Sequence, residues 1–237
     1  QIVDELEQLK VTYGIKSFVL YDDNLFAMRK QAKELLREMV NRNLDLKWHV
    51  SSFAIFVIDD EMLDLMKAAG CIGVNVTIES GNPRVLKEII NKPIKDLCAV
   101  PSLIKKIKAR DMYVLANFII GSPGETWEEI RETIQFAEDC GADYVKFFIA
   151  VPLEGTDMYE MARKLNAFEQ DHDAENPKLD WRFSQLKSDE WTSKDVSILR
   201  VYEWDRINFA PKRIEKTAEI WGVPVNELNR IRQETRR

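Results

Sequence analysis

Apolar residues recur along the chain in two alternating rhythms. Ile2, Leu6 and Leu9 fall at helical spacing and predict a helix from Gln1 to Tyr13, stopped by Gly14. Ser17 to Tyr21 is a short apolar strand ended by Asp22, Asp23 and Asn24. The helical period returns over Ala27 to Asn41, with Ala32, Leu35, Leu36, Met39 and Val40 inward. Lys47 to Phe53 is the next strand, followed by a helix from Asp59 to Ala69 that Asp59 caps and Gly70 ends. Cys71 to Glu79 is a strand, Pro83 to Ile90 a set of helical turns, and Asp96 to Arg110 a longer helix. Tyr113 to Gly121 is a strand, Trp127 to Cys140 a helix, Tyr144 to Val151 a strand and Asp157 to Leu165 a helix. A polar stretch over 166–190 reads as a long loop. Helices resume with a segment capped by Ser193 that runs to Arg206, with Val196, Leu199, Val201 and Tyr202 on or near one face, and then with Pro211 to Trp221 and Pro224 to Arg237.

The order is one helix followed by five strand–helix units. Helical crossovers between short buried strands demand parallel pairing and right-handed connections. Five strands cannot close an eight-stranded barrel, which leaves an open doubly wound sheet or a partial barrel. The strand Ile72 to Glu79 bears on that choice. Ile72, Val74, Val76 and Ile78 point one way, and Gly73, Asn75, Thr77 and Glu79 the other. A doubly wound sheet is apolar on both faces. One small, polar face fits a lumen that holds a polar ligand, or else a solvated edge.

Two strand endings carry chemistry. Ile78-Glu79-Ser80-Gly81 and Gly121-Ser122-Pro123-Gly124-Glu125-Thr126 both stand where strand gives way to helix. Parallel α/β proteins assemble ligand sites from such ends. Glu79 can accept two ribose hydroxyls through charge-assisted bonds, or pair with a nearby Lys or Arg. The glycines at 121 and 124 allow close backbone approach, and Thr126 with Glu129 forms a capping box. Asp22, Asp23 and Asn24 can face a ligand amine or merely make a turn. Ser51 and Ser52 add hydroxyls, and Lys146 either enters the lumen or snorkels at an edge. Trp191, Trp204 and Trp221 read as core covering the barrel's open side, or else as a surface that packs on an adjoining domain.

Composition narrows the setting. With 237 residues, 45% of them hydrophobic, the chain can bury one large core. A net charge of −6 argues against nucleic acid as the main partner, and the arginines from Arg230 to Arg237 read as a solvated helix end. No apolar run reaches membrane-spanning length, and no signal peptide opens the chain, so the expected location is the cytoplasm. Cys71, Cys98 and Cys140 are widely spaced, which predicts reduced thiols and no local metal cluster. His49 and His172 follow no metal-ligand spacing and read as core or solvated residues.

From about Gln1 to Met161 these motifs resemble the core of a radical S-adenosylmethionine (SAM) enzyme, in the group whose members often carry a cobalamin-binding domain. Phe18 through Asn24 resembles that family's strand-two ending, and Val76 through Gly81 its ribose-contacting strand four. Asn117 through Gly121 resembles the strand-five adenosine motif, with Asn117 where the pattern favours glycine, and Val151 through Thr156 resembles the strand-six ending beside the adenine. The resemblance implies that Asp22, Asp23 and Ser52 hold the amino-acid end of SAM, with Asn24 also among the cofactor-binding residues. It assigns the ribose to Glu79, the adenosine wall to Asn117, Ile119 and Gly121, and an adenine contact to Val151.

The departure from the family is the cluster loop. Its C-x3-C-x2-C cysteines hold a 4Fe-4S cluster, and no such spacing occurs here. The expectation is that strand one and those cysteines lie upstream, with cobalamin supplied, if at all, by an upstream domain of the same gene product. The implied fold is α/β, a partial (β/α)6 TIM-like barrel missing its first strand over 1–165, a polar connecting loop over 166–190 and a small helical extension over 191–237. The implied partners are a small-molecule cofactor and an unidentified substrate. The implied reaction is hydrogen abstraction by a 5′-deoxyadenosyl radical, with cobalamin-dependent methyl transfer as one candidate and with this chain alone inactive. Two other readings stand beside it: a cluster-free barrel acting as a binding or scaffold module, and a metal-free barrel enzyme using Glu79 and Lys146 as acid and base.

Overall fold

The computed structural model describes residues 1–22, 25–57, 59–92, 94, 96–169 and 180–235, so Asp23, Asn24 and His172 lie outside the described residues. Its strands are β1 (Ser17–Leu20), β2 (Lys47–Phe53), β3 (Cys71–Glu79), β4 (Tyr113–Ile120) and β5 (Tyr144–Ile149). They form one sheet in the order β1-β2-β3-β4-β5, the order in which a chain of right-handed crossovers lays them down. The β1–β2 and β2–β3 pairs are parallel. The helices are α1 (Ile2–Tyr13), α2 (Arg29–Asn41), α3 (Asp60–Ala68), α4 (Val100–Lys108), α5 (Trp127–Asp139), α6 (Asp157–Lys164), α7 (Ser193–Asn208), α8 (Ile214–Trp221) and α9 (Val225–Thr235). The turns over Val85–Ile89 are π-helical, and α4 opens with a 3-10 turn at Leu97–Ala99.

The chain divides into two compact units, Gln1–Thr77 with Ala99–Ala116, and Ile78–Cys98 with Asn117–Arg237. In the first, Trp48 is buried, stacks on Phe18 at 5.9 Å and donates its indole N–H to the Ala69 carbonyl at 2.8 Å. Asp59 caps α3 through the Met62 amide. Lys33 of α2 reaches both Asp59 at 2.8 Å and Glu61 at 2.7 Å, which ties α2 to the start of α3. The alternation along β3 is the one its sequence predicts from Gly73 on: Val74, Val76 and Ile78 are buried, while Asn75, Thr77 and Glu79 are half-buried. Ile72 departs from it, being exposed at the strand's first turn of pleat. Gly73 is buried because the Tyr113 ring lies flat over it, and a Cβ there would come within 2.3 Å of that ring.

In the second unit α7 packs on β5. It is not the amphipathic helix its sequence suggested. Tyr202 is exposed, and the buried positions include Glu203, Asp205 and Asn208. Each of these polar groups is matched. Asn208 donates to the Val145 carbonyl at 2.9 Å and accepts from the Val145 amide at 2.8 Å, filling the place a neighbouring strand would take. Glu203 pairs with Arg206 at 2.6 Å. Asp205 is held by both Nε and Nη2 of Arg232 at 2.9 Å, so Arg232 is half-buried against α7 rather than part of a fully solvated end. The cap of α7 is Thr192, not Ser193, because Thr192 and Asp195 close a capping box. Trp191 is buried, whereas Trp221 stays 40% exposed. Within 166–190, Phe168 and Leu186 form an isolated antiparallel bridge and Leu186 is buried.

Candidate functional site

Strand β3 ends on a strained residue. Glu79 adopts φ 75°, a left-handed conformation that a side chain with a Cβ rarely takes. Its carboxylate meets the Lys92 ammonium at 3.1 Å, the ion pair that competes with a ligand role. A carboxylate has more acceptor positions than one ammonium fills.

The residues that follow pin this ending to α5. Ser80 is fully buried, with its hydroxyl 2.8 Å from that of Thr133. The Gly81 amide donates to Thr133 Oγ1 at 3.1 Å. A Cβ on Gly81 would stand 2.5 Å from Phe136 Cβ and 2.9 Å from Thr133 Cα, so only glycine allows this approach. Asn82 then caps the π-helical turns by accepting from the Val85 amide at 3.0 Å.

The turn after β4 is fixed from both sides. Gly121 and Gly124 take φ 75° and 78°. The Ser122 amide donates to Glu125 Oε2 at 2.8 Å, and the Glu125 amide returns to the Ser122 carbonyl at 3.1 Å. Glu125 is buried, and desolvation pushes its carboxyl up to about 8 against the pull of the Ser122 and Gly121 amides. Its Oε1 and the Ser122 hydroxyl have no hydrogen-bond partner. Trp191 closes the turn by donating to the Glu125 carbonyl at 2.9 Å. Arg84 grips Glu129 with Nε and Nη2, both at 2.6 Å, and Nη2 also reaches the Gly124 carbonyl at 2.9 Å. The guanidinium, foremost among the causes, lowers the Glu129 carboxyl to about 2. Arg84 thus joins the helical turns after Glu79 to the turn after Gly121.

On β4, Asn117 and Ile119 are half-buried, and Asn117 Oδ1 is a buried acceptor without a partner. The end of β5 is tied to the end of β4 by the Ala150 amide donating to the Ile120 carbonyl at 3.0 Å, and Val151 follows, half-buried. Glu79, Asn117, Ile119, Gly121 and Val151 therefore all belong to the second unit, at or near strand ends.

In the first unit, Asp22 is exposed just past β1, and Ser52 is half-buried on β2. The neighbouring Ser51 hydroxyl donates to the Leu20 carbonyl at 3.1 Å. Asn75 donates to the Ser51 carbonyl at 3.0 Å, and its Oδ1 has no partner. Sequence reasoning missed Asn75 as a site residue, although its place beside Thr77 and Glu79 on the polar face was the signal. It also missed Arg84 and Glu125, whose partners lie 45 and 3 residues away.

The donors present do not fit an iron–sulfur cluster. Among the described residues no three His, Cys, Asp or Glu side chains are grouped to hold a metal. Cys71 and Cys140 are buried and Cys98 is exposed. Burial pushes the Cys71 thiol up to about 12 and raises Cys140 as well, the opposite of what a thiolate ligand needs. Among the described residues no helix is long and apolar enough to cross a membrane.

Comparison with known proteins places these features in one setting. The family model described as Radical SAM superfamily matches residues 1–137. An uncharacterized methyltransferase of Pyrococcus horikoshii is 35% identical over 162 residues, 68% of this chain and 35% of that protein. The cytidylyl-2-hydroxyethylphosphonate methyltransferase of Streptomyces wedmorensis is 37% identical over 164 residues, 66% of this chain and 30% of that protein. Among solved structures, the radical S-adenosylmethionine methyltransferase TsrM of Kitasatospora setae, with cobalamin and a [4Fe-4S] cluster bound, is 27% identical at a TM-score of 0.58, over 64% of this chain and 31% of that one. Coproporphyrinogen III oxidase of Escherichia coli shares the fold at a TM-score of 0.51 and 17% identity, over 83% of this chain and 43% of that one. The chain spans about a third of the length of the two curated relatives. The expected α/β fold class with its five-stranded parallel sheet is the one these structures share.

Proposed function

This chain belongs to the radical SAM superfamily, and from that premise we propose that it is the S-adenosylmethionine-binding core of a radical SAM enzyme. The observation that carries the reading is Asn117: a buried amide oxygen without a partner, on the strand that leads to the Gly121 turn. A buried acceptor left unpaired costs about 1–3 kcal/mol, which a donor on a nucleoside would recover. Glu79, Asn117, Ile119, Gly121 and Val151 would take the nucleoside, with the Glu79 carboxylate on the ribose hydroxyls and the Gly121 backbone against the adenosine. The positive φ of Glu79 supports this, since strained backbone clusters where a side chain must be aimed.

When bound, S-adenosylmethionine supplies the 5′-deoxyadenosyl radical chemistry of the family. The residues of this chain do the rest of the visible work. Arg84 and the Thr126–Glu129 capping box hold the turn that presents Gly121. Ser80 and Thr133 hold the strand end that presents Glu79. Half-buried Ile119 would shield the nucleoside from water. Methyl transfer is the reaction class that the two methyltransferase relatives and TsrM support, and the cobalamin bound in TsrM supports a cobalamin that another domain of the same gene product would supply. The substrate is a small molecule in this reading, and the −6 charge speaks against nucleic acid.

Calorimetric titration with S-adenosylhomocysteine tests the binding role. Saturable binding that Asn117→Leu weakens is expected; identical titrations for parent and variant would remove Asn117 from the site. The donor set supports a second statement, that the chain alone does not perform the radical step. Anaerobic iron–sulfide reconstitution is expected to leave no stable broad visible absorbance, and its appearance would refute this.

A further inference from the structure

A cavity of about 670 Å³ opens against β5, within the second unit. Its walls are aromatic: Tyr144, Phe148, Trp181 and Trp204 line it. Phe148 and Trp181 meet edge to face at 5.1 Å, and the Trp204 indole N–H donates to the Tyr144 hydroxyl at 2.7 Å, so these rings are held in place. The size falls within the range of small-molecule sites.

Charge separates this cavity from a piece of unfinished core. Lys146 lines it from β5, half-buried, and forms no ion pair or hydrogen bond with another described residue. Burial lowers the ammonium from its ordinary value, and no carboxylate offsets that effect. Arg200 lines it from α7, with Nε donating to the Phe147 carbonyl at 2.9 Å and the guanidinium over the Trp181 ring at 5.1 Å. Arg182 is a third cation at the wall, already gripped by Asp180 at 2.8 Å. Among the described residues the acid lining the cavity is Glu234, which pairs with Arg230. Among the described residues Lys146 therefore has no carboxylate partner, and Arg200 feels the Asp180 carboxylate only at a distance, since Asp180 is ion-paired with Arg182. Half-buried cations persist at such cost where an anion completes them.

We propose that this cavity binds a small planar aromatic carboxylate, with its ring against Trp181 and Phe148 and its carboxylate toward Lys146 and Arg200. Planar rings match edge and face contacts from fixed aromatic walls. A monoanion suits the site better than a dianion such as a phosphate monoester, because only half-buried cations compensate it and an extra charge raises the desolvation cost. This site goes beyond the SAM-binding reading and stands without it. Val151, three residues past Phe148, is not among the residues that line the cavity.

Calorimetry on the full chain, with 2-naphthoate as probe and 2-naphthamide as its neutral counterpart, tests the proposal. One-site binding of 2-naphthoate is expected, with 2-naphthamide weaker by about tenfold or more. Lys146→Met should weaken 2-naphthoate by about tenfold or more, while Lys146→Arg, which keeps the charge, stays within about threefold of the parent. The acid–amide comparison needs no variant, so it decides the matter even if Lys146→Met misfolds. Equal binding of acid and amide would overturn the proposal, as would no binding at millimolar probe. Stronger binding of 2-naphthyl phosphate than of 2-naphthoate would overturn the choice of a carboxylate, and a cavity closed by self-association, seen as a dimer in sedimentation, would overturn the small-molecule ligand.

Discussion

Glu79 reaches Lys92 at 3.1 Å from a backbone held at φ 75°, so one residue joins an ion pair to a conformation normally left to glycine. Replacing it separates the two properties. Glu79→Gly adopts this φ without the roughly 1–2 kcal/mol that a Cβ costs there, which offsets the loss of a partly exposed ion pair worth about 0–1 kcal/mol. Thermal denaturation should therefore find Glu79→Gly about as stable as the parent. Calorimetry should find S-adenosylhomocysteine bound about tenfold or more weakly by both Glu79→Gly and Glu79→Gln. Parent-like affinity in either variant would leave the ribose assignment without support.

Glu125 makes stability depend on pH. Its folded value, about 8, lies above the ordinary 4.5, so the native state holds the proton more tightly than the unfolded chain does. The stability that this lends is complete below pH 4.5 and is lost as pH climbs through 8. In Glu125→Gln the amide oxygen can still accept from Ser122 N and nothing ionises. Urea unfolding should show the variant gaining on the parent by a few kcal/mol between pH 5 and pH 8. A constant difference across that range would mean that Glu125 is ionised at neutral pH.

The Arg84–Glu129 fork acts at the other end of the scale. Glu129 titrates at about 2 in place of 4.5, so its contribution is present above pH 4.5 and is lost as pH falls through 2. Arg84→Met should cost about 1–3 kcal/mol at neutral pH, and much of that acid-dependent loss should vanish with it. Arg84→Lys should recover only part, because an ammonium cannot make two parallel bonds. Unfolding curves from pH 2 to pH 7 read both effects, and equal stability of Arg84→Met and parent at pH 7 would show that the fork is spent on solvation.

Two glycines should respond differently to the same alanine. A Cβ on Gly73 meets the Tyr113 ring, a side chain, whereas a Cβ on Gly81 meets Thr133 Cα, which is backbone. Each Ala substitution should destabilise by about 1–3 kcal/mol. Adding Tyr113→Ala should relieve part of the Gly73→Ala cost in a double-mutant cycle. Adding Phe136→Ala should relieve little of the Gly81→Ala cost, since alanine keeps the Cβ that stands 2.5 Å away and the backbone contact also survives. Equal rescue in the two cycles would show that α5 can shift away from the Ser80–Gly81 turn.

Most of the framework was legible in one dimension because it obeys local rules. β2 and β3 begin and end where their apolar alternation does, Asp59 caps α3, and the Thr126–Glu129 box opens α5. The same rules failed on α7, where Glu203, Asp205 and Asn208 turn inward. The partners of Asp205 and Asn208, Arg232 and Val145, come from other elements, so no periodicity announces their burial. For the candidate site, Glu79 and Gly121 could be picked out by position, but the ion pair with Lys92 spans 13 residues and the grip of Arg84 on Glu129 spans 45.

The sequence by itself determined the alternation of five strands with helices, the strand endings that carry Glu79 and Gly121, and the lack of a C-x3-C-x2-C cluster loop, because propensity, capping and motif spacing act over a few residues. Only the tertiary structure decided which polar groups lost their water and which found a partner. The raised carboxyl of Glu125, the unpaired oxygen of Asn117 and the cations of the aromatic cavity on β5 all follow from burial by residues distant in sequence, and desolvation depends on the whole surrounding shell and not on the neighbouring letters.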